Sequence, residues 1–534
     1  MIRSERPNFL LFITDQHRAD HLGCAGHPLL RTPHIDALAA RGCRFTEFHV
    51  ATPICQPNRA SLMTGRLPSA HGLQLNGREL SHGEKTFVQS LREAGYRTAL
   101  AGKSHLQNIT SVPPFWPQGV ERLVQESKAL FPGRYGQEVA RRWDEDDAFE
   151  LDLPYYGFEQ VALTIGHADE QSGHWRRWLR RQLPDADRLI GPDNALPTPD
   201  WALTHLRQAW RTQVPEALYP TSYIAEKSCE MLQGFAAGDA PFFLQCSFPD
   251  PHHPFTPPGR YWDMYRPSDV ELPHSFDAEL IDAPPPVRWL HAQRANRPAH
   301  FKPGHGSFAV THQEAREALA LNYGNIACID DAIGRVMTEL QSLGLAENTV
   351  VMFTSDHGDL LGDRGLMFKG GLHDGGLTRV PFIWSDLASS ASPSSLAPRE
   401  TTALAQTIDI AATVLARAGL APVHGMQGRS LLPVVTGQTD VLRASVLIEE
   451  EGQRLDFGLD QRIRMRTLRT LDHRISIYDG QPWGELCDLR ADPLELRNLW
   501  NDPASQLLRM RLMGELAYAM LGQTNTSPYP LASA

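Results

Sequence analysis

Four apolar runs in this sequence each stop at residues able to bind a metal or an anion. FLLFIT leads into Asp15 and Gln16, and RTALA into Gly102-Lys103-Ser104-His105. FFLQCSF leads into Asp250, His252 and His253, and VVMFTS into Asp356-His357-Gly358-Asp359. A single aspartate after a strand is ordinarily a turn former or a helix cap. Four such tips, each charged or imidazole-bearing, point to one cleft, because parallel α/β sheets bind ligands just beyond the carboxyl ends of their strands. Asp15, Gln16, Asp356 and His357 make the expected metal cage. Two carboxylates, an amide oxygen and one imidazole suit a hard or borderline divalent cation. Oxygen dominance makes calcium the expected ion, with manganese or magnesium as alternatives, while the imidazole also admits zinc.

The most distinctive segment runs from Cys55-Gln56-Pro57-Asn58-Arg59 through Ala60-Ser61-Leu62-Met63-Thr64 to Gly65-Arg66. Pro57 favours the first turn of a helix, which places residue 55 at a positive helix end. Arg59, one turn on, can steady an anion there and the carboxylates of the cage. The seven cysteines are scattered, odd in number and free of CxxC spacing, so neither a disulfide framework nor a structural zinc site is indicated. Only Cys55 has surroundings that set it apart from a small buried apolar residue.

Read as C-x-P-x-R-A-S-L-x-T-G-R, this segment resembles the signature of the type I sulfatases of the alkaline phosphatase superfamily. The resemblance implies that a formylglycine-generating enzyme oxidises Cys55 to formylglycine after translation. Asn58 stands where the commonest form has Ser, and the core of the motif is intact. The implied aldehyde hydrates to a gem-diol, one hydroxyl of which attacks sulfur while the second later expels sulfate. Gly102-Lys103-Ser104-His105 resembles the family's G-K-x-H element and Pro251-His252-His253-Pro254-Phe255 its P-H-x-P-F element. Lys369, thirteen residues beyond Asp356, falls where the family keeps a sulfate-binding lysine. The implied catalytic set is Cys55, Arg59, Lys103, His105, His252 and Lys369. Asn76, His253 and His373 are expected on the substrate side, and Cys55 joins Asp15, Gln16, Asp356 and His357 at the metal. Near the end, Glu485-Leu486-Cys487-Asp488-Leu489 is similar to the family's E-L-Y-D-L stretch, with Cys487 for Tyr.

One branch shares these marks. Asp-Gln and Asp-His metal pairs and Asn76 also fit the phosphonate monoester hydrolases, relatives with the same formylglycine chemistry. Those enzymes carry Tyr and Thr where this chain has Lys103 and His105, so a sulfatase is expected, with phosphonate or phosphodiester hydrolysis as the alternative activity.

Positioning these tips requires alternating strands and helices. Phe9–Thr14, Arg97–Ala101, Phe242–Phe248, Val350–Thr354 and Val380–Trp384 read as buried strands. Thr32–Gly42, Lys85–Gly95, Glu314–Leu343 and Thr407–Gly419 read as helices between Thr-type starts and Gly stops. The expected fold is α/β, a large mostly parallel sheet sandwiched by helices, which the resemblance identifies as alkaline phosphatase-like. Residues 1–430 form the expected catalytic domain. Within it, 110–220, with six of the eleven tryptophans, and 257–310 are long excursions for substrate or oligomer contacts. Residues 431–534 are expected to form a smaller C-terminal α+β subdomain with strands near Ser445–Glu449 and His473–Tyr478, a helix over Ser505–Leu521 and a tail.

Among 534 residues, 21% are charged and 42% hydrophobic, as in ordinary globular proteins, and the net charge of −11 disfavours nucleic acid as a partner. No apolar run reaches the length of a membrane span. The N-terminus lacks a signal-peptide pattern, so a cytoplasmic location is expected. The expected partners are a small sulfated substrate and the formylglycine-generating enzyme. The chain end resembles an oligomer-forming extension, so a homo-oligomer is expected.

Overall fold

The computed structural model describes residues 6–112, 129–298, 301–304, 306–386, 398–530 and 532. At its centre lies strand β1 (Asn8–Thr14), buried along its whole length. A strand with no face open to water needs apolar side chains on both sides. Phe9, Leu11 and Ile13 supply one face, and Leu10 and Phe12 the other.

Eight further strands extend this sheet: β2 (Cys43–Phe45), β3 (Arg97–Gly102), β4 (Gln160–Ile165), β5 (Ser172–Gly173), β6 (Phe242–Ser247), β7 (Thr349–Ser355), β8 (Phe382–Asp386) and β9 (Arg399–Thr401). Their spatial order is β9-β2-β8-β7-β1-β6-β3-β4-β5. The central strands β7-β1-β6-β3-β4 are all parallel, so five carboxyl ends share one edge. β1 lies between β6 and β7, and the chain order reverses about it, which opens a crevice at that edge. β8 runs antiparallel to β7 and β2, and β5 to β4.

Helices α1 (Pro33–Ala39), α3 (Pro220–Ala236) and α5 (His312–Ser342) cover one face, packing Ile35, Ile224 and Ile333 against Leu10 and Phe12. Helices α2 (Cys55–Thr64) and α6 (Asp409–Arg417) cover the other through Leu62, Met63, Ile410 and Val414. The long helix α5 begins two residues before the expected Glu314. Thr311 and Glu314 close a capping box there, so Glu314 sits inside the first turn. Helix α4 (Pro285–Ala295) lies in the second excursion. Residues 113–128 of the first excursion, and 299, 300 and 305 of the second, lie outside the described residues.

After residue 445 the chain forms a separate antiparallel meander, β10 (Val446–Glu451), β11 (Arg464–Arg469), β12 (His473–Tyr478) and β13 (Gly484–Asp488). Helix α7 (Gln506–Gly522) packs Leu512 and Leu516 against Leu447, Leu468, Ile475 and Leu486. Among the described residues, no helix is long and apolar enough to cross a membrane.

Buried ion pairs brace this smaller sheet. Fully buried Arg474 pairs with Glu495 and with Glu485 at 3.1 Å, and Arg469 pairs with Glu495 at 2.7 Å. Burial pushes the Glu495 carboxyl up, but Arg474 and Arg469 outweigh it and hold the group at about 2. An unfolded glutamate titrates near about 4.3. The stability from Glu495 is therefore fully present above that pH and lost as pH falls through the folded value. Glu495→Ala takes the paired carboxylate from buried Arg469 and one of two from Arg474, and is expected to cost about 3–5 kcal/mol in urea unfolding. Glu495→Gln should flatten the acid limb of the stability profile, and an unchanged limb would show that other carboxylates set it.

Candidate active site

All five parallel strand ends contribute to one site. At the end of β1, Asp15 is fully buried and Gln16 takes a φ of +63°. At the end of β7, Asp356 and His357 are equally buried. The Gln16 N–H donates to Asp356 Oδ1 at 3.1 Å, which locks the two tips together. His357 Nε2 lies 3.5 Å from Asp15 Oδ1 and 3.6 Å from Asp356 Oδ1. The remaining oxygen of each carboxylate faces Arg59, at 3.3 Å for Asp15 and 2.7 Å for Asp356. Arg59 also donates to the Lys103 carbonyl and to Ser247 Oγ, so it ties β1, β3, β6 and β7 to α2.

These donors fit a divalent cation. The ligating atoms of Asp15, Asp356 and His357 lie within 4.8 Å of one another. Asp15 Oδ1 is buried and makes no hydrogen bond among the described residues. Leaving a buried carboxylate oxygen unmatched is costly, and a cation between the two Oδ1 atoms and the imidazole would match it. Gln16 Oε1 accepts from the Lys369 ammonium at 2.8 Å, while the amide nitrogen of Gln16 bonds to Asp359 and His253. Burial pushes the Asp15 carboxyl up, but Lys103, Arg59 and Lys369 outweigh it and hold the group well below the usual range.

Cys55 opens α2 with Pro57 in the first turn, and Gly65 closes the helix at a φ of +66°. Asn76 Oδ1 accepts the Gln56 N–H at 3.2 Å, and its Nδ2 lies 3.7 Å from Cys55 Sγ. Burial raises the Cys55 thiol, but the positive charges of Lys369, His105 and Lys103 more than reverse this. Asn58 is fully buried and fully used. It accepts from the Ala51 N–H and Thr407 Oγ1 and donates to the Asp356 carbonyl.

Gly102 ends β3 with a φ of +110°, and a Cβ there would fall 1.9 Å from the Ser247 carbonyl oxygen, so only glycine fits. The Lys103 ammonium beyond it donates to Asp15 at 2.5 Å and to His167 Nε2 at 2.8 Å. His167 follows β4, and its ring stacks on His252 at 3.7 Å. His252 stacks in turn on His253, and His253 on Phe368. His252 Nδ1 bonds to the His253 carbonyl, and its Nε2 accepts from Lys369 at 2.9 Å. Burial, His167 and Lys369 hold the His252 imidazole well below its ordinary value, and so neutral.

Above these groups opens a cavity of about 840 Å³. Cys55, Asn76, His105, His167, His252 and Lys369 line its floor. Trp289 and Arg294 of α4, with Phe301 and Phe308, line one wall, and Arg454, Phe457 and Ile463 of the β10–β11 connection another. His253 and His373, expected against the substrate, do not line the cavity. His253 lies beneath His252, and His373 is fully buried between Glu450 and Thr467. The sequence reading omitted His167 and Ser247, and gave Asp359 no role in the cage. His167 had a signal, the alternating run QVALTI just before it.

A family profile described as Sulfatase matches residues 7–420, and one described as N-sulphoglucosamine sulphohydrolase, C-terminal matches 390–520. The chain is 27% identical over 503 residues to an arylsulfatase of Clostridium perfringens, covering 93% of this chain and 90% of that one. It is 27% identical over 504 residues to a choline-sulfatase of Rhizobium meliloti, covering 93% and 83%. Its structure superposes on the phosphonate monoester hydrolase of Agrobacterium radiobacter with a TM-score of 0.75 at 26% identity, covering 98% and 97%.

Proposed function

The chain belongs to the sulfatase family, and from that premise we propose that it cleaves a small sulfate monoester with residue 55, as formylglycine, for nucleophile. One observation carries the reading. Cys55 heads a buried helix on the cavity floor, with the Asp15–Asp356–His357 cage, two lysines and three histidines around it. Formylglycine supplies a hydrated aldehyde, one hydroxyl to attack sulfur and a second whose deprotonation expels sulfate. Asp15, Gln16, Asp356 and His357 would hold a divalent cation, which would supply Lewis acidity at this site.

The remaining work falls to side chains. Arg59 holds the two cage carboxylates in register. The Lys103 and Lys369 ammonium groups stabilise charge on the sulfuryl oxygens. His105 lines the cavity floor with residue 55 and is assigned to take a proton from it. The Lys369–His252 pair lies at 2.9 Å on the cavity floor and is placed to give a proton to the departing alkoxide. The two excursions form the substrate side, since α4 and His167 come from them.

Lys103→Ala is expected to lose about 10²–10³ in turnover, the usual cost of one preorganised donor, with a smaller change in substrate binding. The second reading, phosphonate hydrolysis, is favoured by the likeness to the Agrobacterium radiobacter enzyme. Steady-state rates on matched aryl sulfate and aryl phosphonate esters separate the two. Lys103→Tyr combined with His105→Thr should depress sulfate cleavage more than phosphonate cleavage. Equal losses on both esters would make the pair general scaffolding and remove the ground for preferring sulfate.

A further inference from the structure

The loop after β3 carries Lys103 and His105 and runs on along the cavity through Asn108 and Ile109. At His105 its backbone takes a φ of +58°, a left-handed conformation that a residue with a Cβ adopts only under constraint. The constraint is visible. Glu138 Oε2 accepts the His105 N–H at 2.6 Å, and Oε1 accepts the Leu106 and Gln107 N–H groups at 2.9 and 3.0 Å. The Tyr155 hydroxyl donates to Oε1 at 2.6 Å. Glu138 is 1% exposed and belongs to the first of the two excursions.

We propose that Glu138 is the positioning residue of His105, fixing the backbone of residues 105–107 so that the imidazole stays on the cavity floor with residue 55. The proposal rests on the reading that residue 55 carries the reaction. Its chemistry is specific to a carboxylate. All four partners donate, so the group must be acceptor-only. Glu138→Gln keeps the size but adds a donor. With its nitrogen in the Oε1 place the amide opposes three donors, and in the Oε2 place only the His105 N–H. The second orientation costs less, so the substitution releases His105 while leaving Leu106, Gln107 and Tyr155 bound.

The test is a double-mutant cycle on whichever aryl ester, sulfate or phosphonate, the wild type cleaves faster. Glu138→Gln should lower kcat by about 10–100-fold, the scale of a small misplacement, with KM little changed. In a His105→Ala background the same change should cost less than about twofold, because the two act as one unit. Tyr155→Phe removes one donor and adds none. It should lose less, vanish equally in the His105→Ala background, and decide the matter if Glu138→Gln does not fold. Equal losses with and without His105 would overturn the proposal and make Glu138 plain scaffolding. Hydrogen exchange separates this failure from failure of the functional reading. The 105–107 amides should be protected in the wild type and loosened in Glu138→Gln on any substrate. If they loosen while His105→Ala leaves turnover intact, anchoring by Glu138 stands and the role given to His105 falls. Unchanged protection overturns the anchoring itself.

Discussion

Cys55→Ala should fold as the wild type does and lose about 10⁴–10⁶ in turnover, as enzymes do when a nucleophile is removed. The fold should survive because the side chain is small and the Asn76 bond runs to the Gln56 backbone, which the substitution spares. The loss should be this large because Lys103, Lys369 and the histidines can only assist a nucleophile. Cys55→Ser makes a sharper point. Serine can attack sulfur but has no second hydroxyl, so the enzyme should stall with one sulfuryl group attached, visible by intact-protein mass spectrometry. The wild-type peptide should weigh about 18 Da less than its cysteine form, from replacement of CH₂SH by CHO. A Cys55→Ala enzyme with a tenth of normal rate would end this account.

Asp356→Ala is expected to remove metal and activity together, with turnover down by more than about 10³-fold. Asp356 is the hinge of the cage. One of its oxygens holds Arg59, and the other accepts from Gln16 and faces His357. Without it the site loses one of two negative charges, and cation affinity rests on that compensation. Elemental analysis alongside kinetics decides the matter. Full metal content in Asp356→Ala would place the ion elsewhere, and Asp15, His167 and His252 form the other cluster within ligand reach around this cleft.

What the sequence revealed follows from how each part is stabilised. β1, β3, β6 and β7 are almost wholly buried, so their runs are mainly apolar and their tips stand out. β4 starts exposed and is set in a tryptophan-rich excursion, which hid both the strand and His167. β2 and β9 are three residues long and take their place from pairing with each other, a tertiary fact with no local pattern. His252 and His253 are adjacent, and one-dimensional order does not say which faces the cavity. His373 was the right type at a plausible distance, but Glu450, 77 residues on, turns it away. Glu138 left no trace because its partners are backbone N–H groups, which every residue but proline has.

All ten residues of α2, from Cys55 to Thr64, are buried. Arg59 is 2% exposed, and Asn58 is bonded to three separate parts of the chain. Once the domain has closed, Pro57, Asn58 and Arg59 are shut away from a second enzyme, and only Cys55 and Gln56 border the cavity. Conversion of Cys55, as proposed above, must therefore be complete while that stretch is still an unfolded ribbon. Maturation becomes a race between oxidation and folding, decided molecule by molecule. A chain that folds first keeps its thiol for life, well shaped and inert. The active fraction of any preparation is then a record of two rates, and conditions that slow folding during synthesis should raise it without altering a single contact in the finished protein.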